Sequence, residues 1–98
     1  MPIRMKVYTR GREILVAAAD ADLIGKTFRE GKFRIEVGQF YDGEAVSARV
    51  FLERMESATI GNFVGRETVE AAKSGGYVSD GGILWIDGVP HAQYVVLA

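Results

Sequence analysis

Apolar and polar residues alternate from Ile3 to Tyr8, with Ile3, Met5 and Val7 on one side and Arg4, Lys6 and Tyr8 on the other. That period of two marks a strand with one wet face. Thr9-Arg10-Gly11-Arg12 reads as a turn, and the unbroken apolar run at residues 14–18 as the antiparallel return of a hairpin whose two faces are both covered. Asp20 is placed to cap a single helical turn over residues 21–24, which Gly25 ends. Residues 32–37 alternate again, Phe33, Ile35 and Val37 against Lys32, Arg34 and Glu36, and predict a third strand with a polar outer face.

The period then changes. Over residues 44–57, Ala45, Ala48, Leu52 and Met55 recur at helical spacing and Phe51 widens the stripe, so a helix is expected, with Asp42 as its cap and Glu44 at its positive end. Residues 59–64 form a short β-prone piece weakened by Gly61. Residues 66–73 predict a second helix, stopped by Gly75-Gly76 with Lys73 near its negative end. Tyr77-Val78, residues 83–86 and residues 93–97 read as strands separated by Ser79-Asp80-Gly81-Gly82 and Asp87-Gly88-Val89-Pro90. The expectation is one α+β domain over residues 1–98, a mixed, mostly antiparallel sheet with two main helices.

Composition narrows the function classes. Ninety-eight residues suit one core, and 48% hydrophobic with 26% charged residues is globular in balance. With no cysteine and one histidine, disulfide scaffolds, thiol catalysis and nearly all transition-metal cages are excluded, so neither a metal nor a cofactor is expected. The longest nearly apolar stretch, residues 14–19, is far short of the roughly 20 residues that cross a bilayer, and no secretory pattern opens the chain. A cytoplasmic protein without membrane partners is expected.

Candidate chemistry is sparse. Gly25-Lys26-Thr27 has the last letters of a phosphate-binding loop but lacks the glycine-rich nest before the lysine, and Asp20 stands where its first glycine belongs. His91 is held on a stiff turn beside Pro90, yet no second histidine or cysteine supports a metal site or an acid–base pair. No serine sits on a strand-to-helix elbow. The carboxylate pairs Glu53/Glu56 and Glu67/Glu70 have helical spacing and read as solvated faces. No catalytic residue is assigned.

Charge is distributed unevenly. Residues 1–34 carry eight basic and four acidic side chains, the remainder four basic and nine acidic, although the whole chain is nearly neutral at -1. If the first and third strands share a sheet, Arg4, Lys6, Tyr8, Lys32 and Arg34 converge on one face, with Arg10 and Arg12 at the adjoining turn. That is the footprint of a nucleic-acid binder. The competing reading gives the same cations to an ordinary wet strand face.

Leu23-Ile24-Gly25-Lys26-Thr27-Phe28, Asn62-Phe63-Val64-Gly65 and Gly88-Val89-Pro90-His91-Ala92-Gln93 together resemble a small archaeal family known as domain of unknown function number 424. The resemblance spans nearly the whole chain and implies a cytoplasmic archaeal α+β domain with no assigned activity, in the company of translation and RNA machinery. Its motif positions here are Gly25, Lys26, Asn62, Gly65, Pro90, His91 and Gln93; Phe63 departs from the aliphatic residue expected there. Three functions stay open. One is a non-enzymatic module for RNA or a ribonucleoprotein, contacting phosphates through Arg4, Lys6, Tyr8, Arg10, Arg12, Lys32 and Arg34. Another is a protein-interaction or homo-oligomeric module using an open sheet edge near residues 83–97. The third is a small-molecule binder or enzyme built on Lys26, Asn62, His91 and Gln93.

Overall fold

The computed structural model describes residues 2–97. The apolar run after the first turn is a central strand, and the rest of the fold is arranged to cover its two sides. β1 (Ile3–Arg10) and β2 (Glu13–Asp20) form the expected hairpin, closed by Gly11 at φ 59. A helical turn at Ala21–Leu23 leads to a second hairpin, β3 (Thr27–Glu30) and β4 (Phe33–Glu36). Then come β5 (Glu44–Val46), α1 (Ala48–Met55), β6 (Ile60–Val64), α2 (Arg66–Ser74), β7 (Leu84–Ile86) and β8 (Val89–Val95). The main sheet has the order β5-β1-β2-β6-β8-β7, with β2 and β6 parallel and every other pair antiparallel; β3 and β4 form a separate two-stranded sheet. This is the expected α+β class.

Alternation in the strands sorts side chains into two cores. Toward the helices point Ile3, Met5, Val16, Ala18 and Phe63, which pack with Phe51 and Met55 of α1 and Val69 and Ala72 of α2. Toward the β3–β4 hairpin point Ala17, Ala19, Val64 and Ile86, covered by Ile35, Val37 and Tyr41. Small residues at 17 and 19 let the hairpin approach β2 closely. Gly61 does not weaken β6 as its composition suggests, because the Phe63 ring lies over it: a Cβ on Gly61 would sit 2.3 Å from Phe63 Cζ. The same ring meets Phe51 edge-on at 5.5 Å. The aromatic residue at position 63 thus fills the space its glycine neighbour leaves open.

Several expectations need correction. Residues 44–46 are strand, not helix: they pair with Ile3–Met5, and α1 starts only after Ser47, whose hydroxyl accepts from the Val50 N–H at 3.2 Å. Asp42 is no cap; it pairs with Arg4 at 3.3 Å. Asp20 makes no side-chain cap to the turn that follows it and serves α2 instead. Strand β3 has no sequence expectation because only Phe28 in it packs on the core. Tyr77 and Val78 are not in a strand but pack on the helix-side core, and β8 begins at Val89 rather than Gln93, with Val96 N–H donating to Thr59 O beyond its end.

Candidate functional site

In α/β sheets, ligands collect at the carboxyl ends of parallel strands, near a following helix N-terminus. Here β2 and β6 end beside α2, and Asp20 occupies that position. Its Oδ1 accepts from the Thr68 N–H and hydroxyl, both at 2.8 Å, and its Oδ2 accepts from the Glu67 N–H at 3.1 Å. Gly65, at φ 105, leaves room for the carboxylate: a Cβ there would lie 2.3 Å from Asp20 Cγ. The protein's own anion fills the site a phosphate would use. A cavity of about 180 Å³ opens next to it, between Asp22, Leu23, Arg66 and Val89.

The candidate ligand-binding residues Lys26, Asn62, His91 and Gln93 separate into two places. Asn62 and Gln93 are cross-strand partners on the hairpin side of the sheet, and Gln93 Nε2 donates to Asn62 Oδ1 at 2.9 Å. His91, two residues along β8, faces the same side between Val64 and Leu84, and burial pushes its pKa below the usual histidine value. Its ring makes no hydrogen bond among the described residues. Lys26 lies elsewhere, exposed at a bulge where the Gly25 N–H donates to Val37 O and the Val37 N–H donates to Lys26 O. Gly25 takes the positive φ, 91, that this bulge requires. Asn62, Gln93 and His91 share a face, but no hydrogen-bonded acid–base pair joins them to Lys26. Among the described residues no cluster of metal-ligand side chains occurs.

The cations also separate. The first and third expected strands, β1 and β4, belong to different sheets, so their charges form no common ladder. Arg4 bonds Asp42 and Gly43 O, Lys6 donates to Gln39 O at 3.4 Å, and the Tyr8 hydroxyl donates to Phe40 O at 2.9 Å. Lys6 also stands 5.7 Å over the Tyr8 ring. These three side chains hold the loop over residues 39–43 against β1. Arg10 and Arg12 are exposed at the β1–β2 turn, where β2 begins. Lys32 and Arg34 lie on the β3–β4 hairpin, which is tied to the opposite end of the sheet by Glu30 Oε1 accepting from the Asp87 N–H at 2.7 Å.

That hairpin carries a residue the sequence reading missed. Its turn is Gly31-Lys32, flanked by the Glu30–Phe33 pair, so Arg29 and Arg34 face each other as a non-hydrogen-bonded pair on the solvent side. In such pairs the Cα atoms lie only about 4.5 Å apart. Like charges directly opposed across strands destabilise a sheet. Glu36 relieves Arg34 at 2.7 Å, but both partners are more than half exposed (52% and 62%), which limits the pair to roughly 0–1 kcal/mol. Among the described residues no carboxylate pairs with Arg29, Lys26 or Lys32. Recognising β3 in the sequence is what would have exposed Arg29; the Gly31-Lys32 turn beside the third strand was the available signal.

Phe63 is fully buried, whereas Trp85 is 49% exposed with the Arg66 guanidinium 5.4 Å over its ring.

No curated protein matches the chain. A crystal structure of an uncharacterized conserved protein from Methanopyrus kandleri is similar in fold, with a TM-score of 0.78 and 18% identity over 98% of this chain and 95% of that one. The model of a family described as protein of unknown function (DUF424) matches residues 8–97, and the chain, carrying that family's pattern across nearly all of its fold, belongs to it.

Proposed function

We propose that the protein is a non-enzymatic module that binds RNA or a ribonucleoprotein through the outer face of the β3–β4 hairpin. The observation that carries this reading is the arginine pair, Arg29 opposite Arg34, flanked by Lys26 and Lys32. A protein that needed only a soluble face would gain stability by alternating the signs there. A phosphate chain laid along the hairpin relieves the repulsion and is recognised by it, with guanidinium forks suited to phosphate oxygens. Two of the cations expected from the sequence, Lys32 and Arg34, belong to this surface. Arg4 and Lys6 are engaged in holding a loop. A cytoplasmic role beside the translation machinery of an archaeal cell is part of the same proposal.

The test is fluorescence anisotropy with a labelled, mixed-sequence single-stranded RNA at 50 and 200 mM salt. Four phosphate contacts give an affinity loss of about 50-fold across that range. The double variant Arg29→Glu/Arg34→Glu loses at least tenfold at low salt, while Arg10→Glu/Arg12→Glu, at the far end of the sheet, changes little. Absence of binding at low salt, indifference to salt, or a hairpin variant that binds as well as the parent overturns the reading.

A further inference from the structure

The main sheet has an open lane on its β1 side. β5 pairs only with Ile3, Arg4 and Met5, and the chain then leaves the sheet at Gly43, packed so closely that a Cβ there would lie 2.1 Å from Met5 O. Beyond that point β1 continues to Arg10 with no neighbour on this side. The two-residue turn fixes which backbone groups are involved. Arg10 and Glu13 flank it as a hydrogen-bonded pair, so Tyr8 and Lys6 also bond inward to β2, and Val7 and Thr9 point their N–H and C=O groups outward. Four strand-pairing groups therefore face solvent in a row.

Side chains flank this lane on both faces. On the helix side a groove of about 470 Å³ runs along Met5 and Val7, between Glu44 and the exposed Val50 and Arg54 of α1. On the other side Phe40, 41% exposed, stacks on Tyr8 at 5.1 Å. An added strand would present alternate residues to Val7 and Val50 on one face and to Tyr8 and Phe40 on the other. The charged residues around the lane are Lys6, Arg10 and Arg54 against Glu44.

That charge selects the occupant. A second copy of the chain fits poorly: the antiparallel register that uses all four groups pairs Val7 with Thr9 of the second copy. It then sets Lys6 against Arg10 of that copy, and does so twice about the two-fold axis. Lysine and arginine on an edge are also the usual guard against self-pairing. We infer that the β1 edge from Val7 to Arg10 is a docking site for an extended acidic segment of a partner protein, which adds as a strand in the lane that β5 vacates. This surface is distinct from the outer face of the β3–β4 hairpin and stands independently of RNA binding there.

The experiment uses the full chain and three synthetic peptides of one length: Glu-Val-Thr-Val-Glu-Val, the same peptide with Lys for Glu, and a proline-interrupted version of the first. Amide hydrogen exchange is followed residue by residue. In the free protein the Val7 and Thr9 amides exchange rapidly while those of Lys6 and Tyr8 are protected. The acidic peptide slows exchange at Val7 and Thr9 at least tenfold and binds at least tenfold more tightly than the lysine peptide; the proline peptide does neither. Thr9→Pro removes one outward N–H without touching the ladder to β2 and abolishes the protection, and Arg10→Glu/Arg54→Glu removes the preference for acid. The inference is overturned by Val7 and Thr9 amides that no peptide protects, by equal affinity for the acidic and lysine peptides, or by amides already protected in the free protein with the mass of a dimer in light scattering.

Discussion

Removing the Asp20 carboxylate tests how the two halves of the fold are joined. Asp20 ends β2, and its three hydrogen bonds go to the first turn of α2, more than forty residues later in the chain. In Asp20→Ala the Glu67 N–H in the first turn of the helix loses its acceptor, which costs about 1 kcal/mol. The Thr68 N–H and hydroxyl, in a residue with no solvent exposure, lose their common acceptor, for about 1–3 kcal/mol more. A total near 3 kcal/mol corresponds to a fall in Tm of roughly 12–24 °C for a domain of this size. Asp20→Asn keeps one acceptor oxygen for Thr68 but turns an amide N–H₂ toward Glu67, so about half the loss is expected. Urea unfolding followed by circular dichroism measures both. A loss below about 1 kcal/mol for the alanine variant, or equal losses for the two variants, would refute the reasoning, since either result means the buried carboxylate is not what holds α2 to β2.

Two further outcomes follow from the cores. Gly61→Ala and Phe63→Leu each destabilise, the first by pushing a methyl into the ring and the second by leaving space above the glycine; combined, they cost at least about 1 kcal/mol less than the sum of the two, measured as a double-mutant cycle. Burial lowers the His91 pKa in the folded state, so the unfolded chain binds the extra proton first. Stability is therefore complete above about pH 6.5 and falls as the pH drops from there through the lowered folded value; His91→Gln flattens that slope, and an unchanged pH profile of Tm in the variant would contradict the assignment.

Much of the architecture was legible in the chain because burial repeats with a period. The β1–β2 hairpin, the doubly covered β2 and α2 all follow from alternation or helical spacing that a one-sided or two-sided core imposes. The misreadings have a common physical origin in partners that are distant in sequence. Residues 44–46 have helical spacing with α1 but are held as strand by pairing with Ile3–Met5, some forty residues away. Asp20 looks like a local cap because its true partners, Glu67 and Thr68, are invisible from its own neighbourhood. β3 buries too little to announce itself, and losing it conceals Arg29 and with it the arginine pair across the hairpin. The cation-rich amino-terminal third is legible as a composition, but the shared sheet expected for its first and third strands does not form: β1 and β4 belong to different sheets, and sheet membership, not order along the chain, decides which side chains meet.

The hairpin's role is read most directly by assigned amide correlation spectra recorded while a short single-stranded RNA is added. Shifts concentrated at Arg29, Lys32 and Arg34, scaling with added RNA and reversed by salt, are the expected result. Shifts confined to the β1–β2 turn, to α2 or to no residue at all would contradict the proposal that this basic hairpin is where the protein meets nucleic acid.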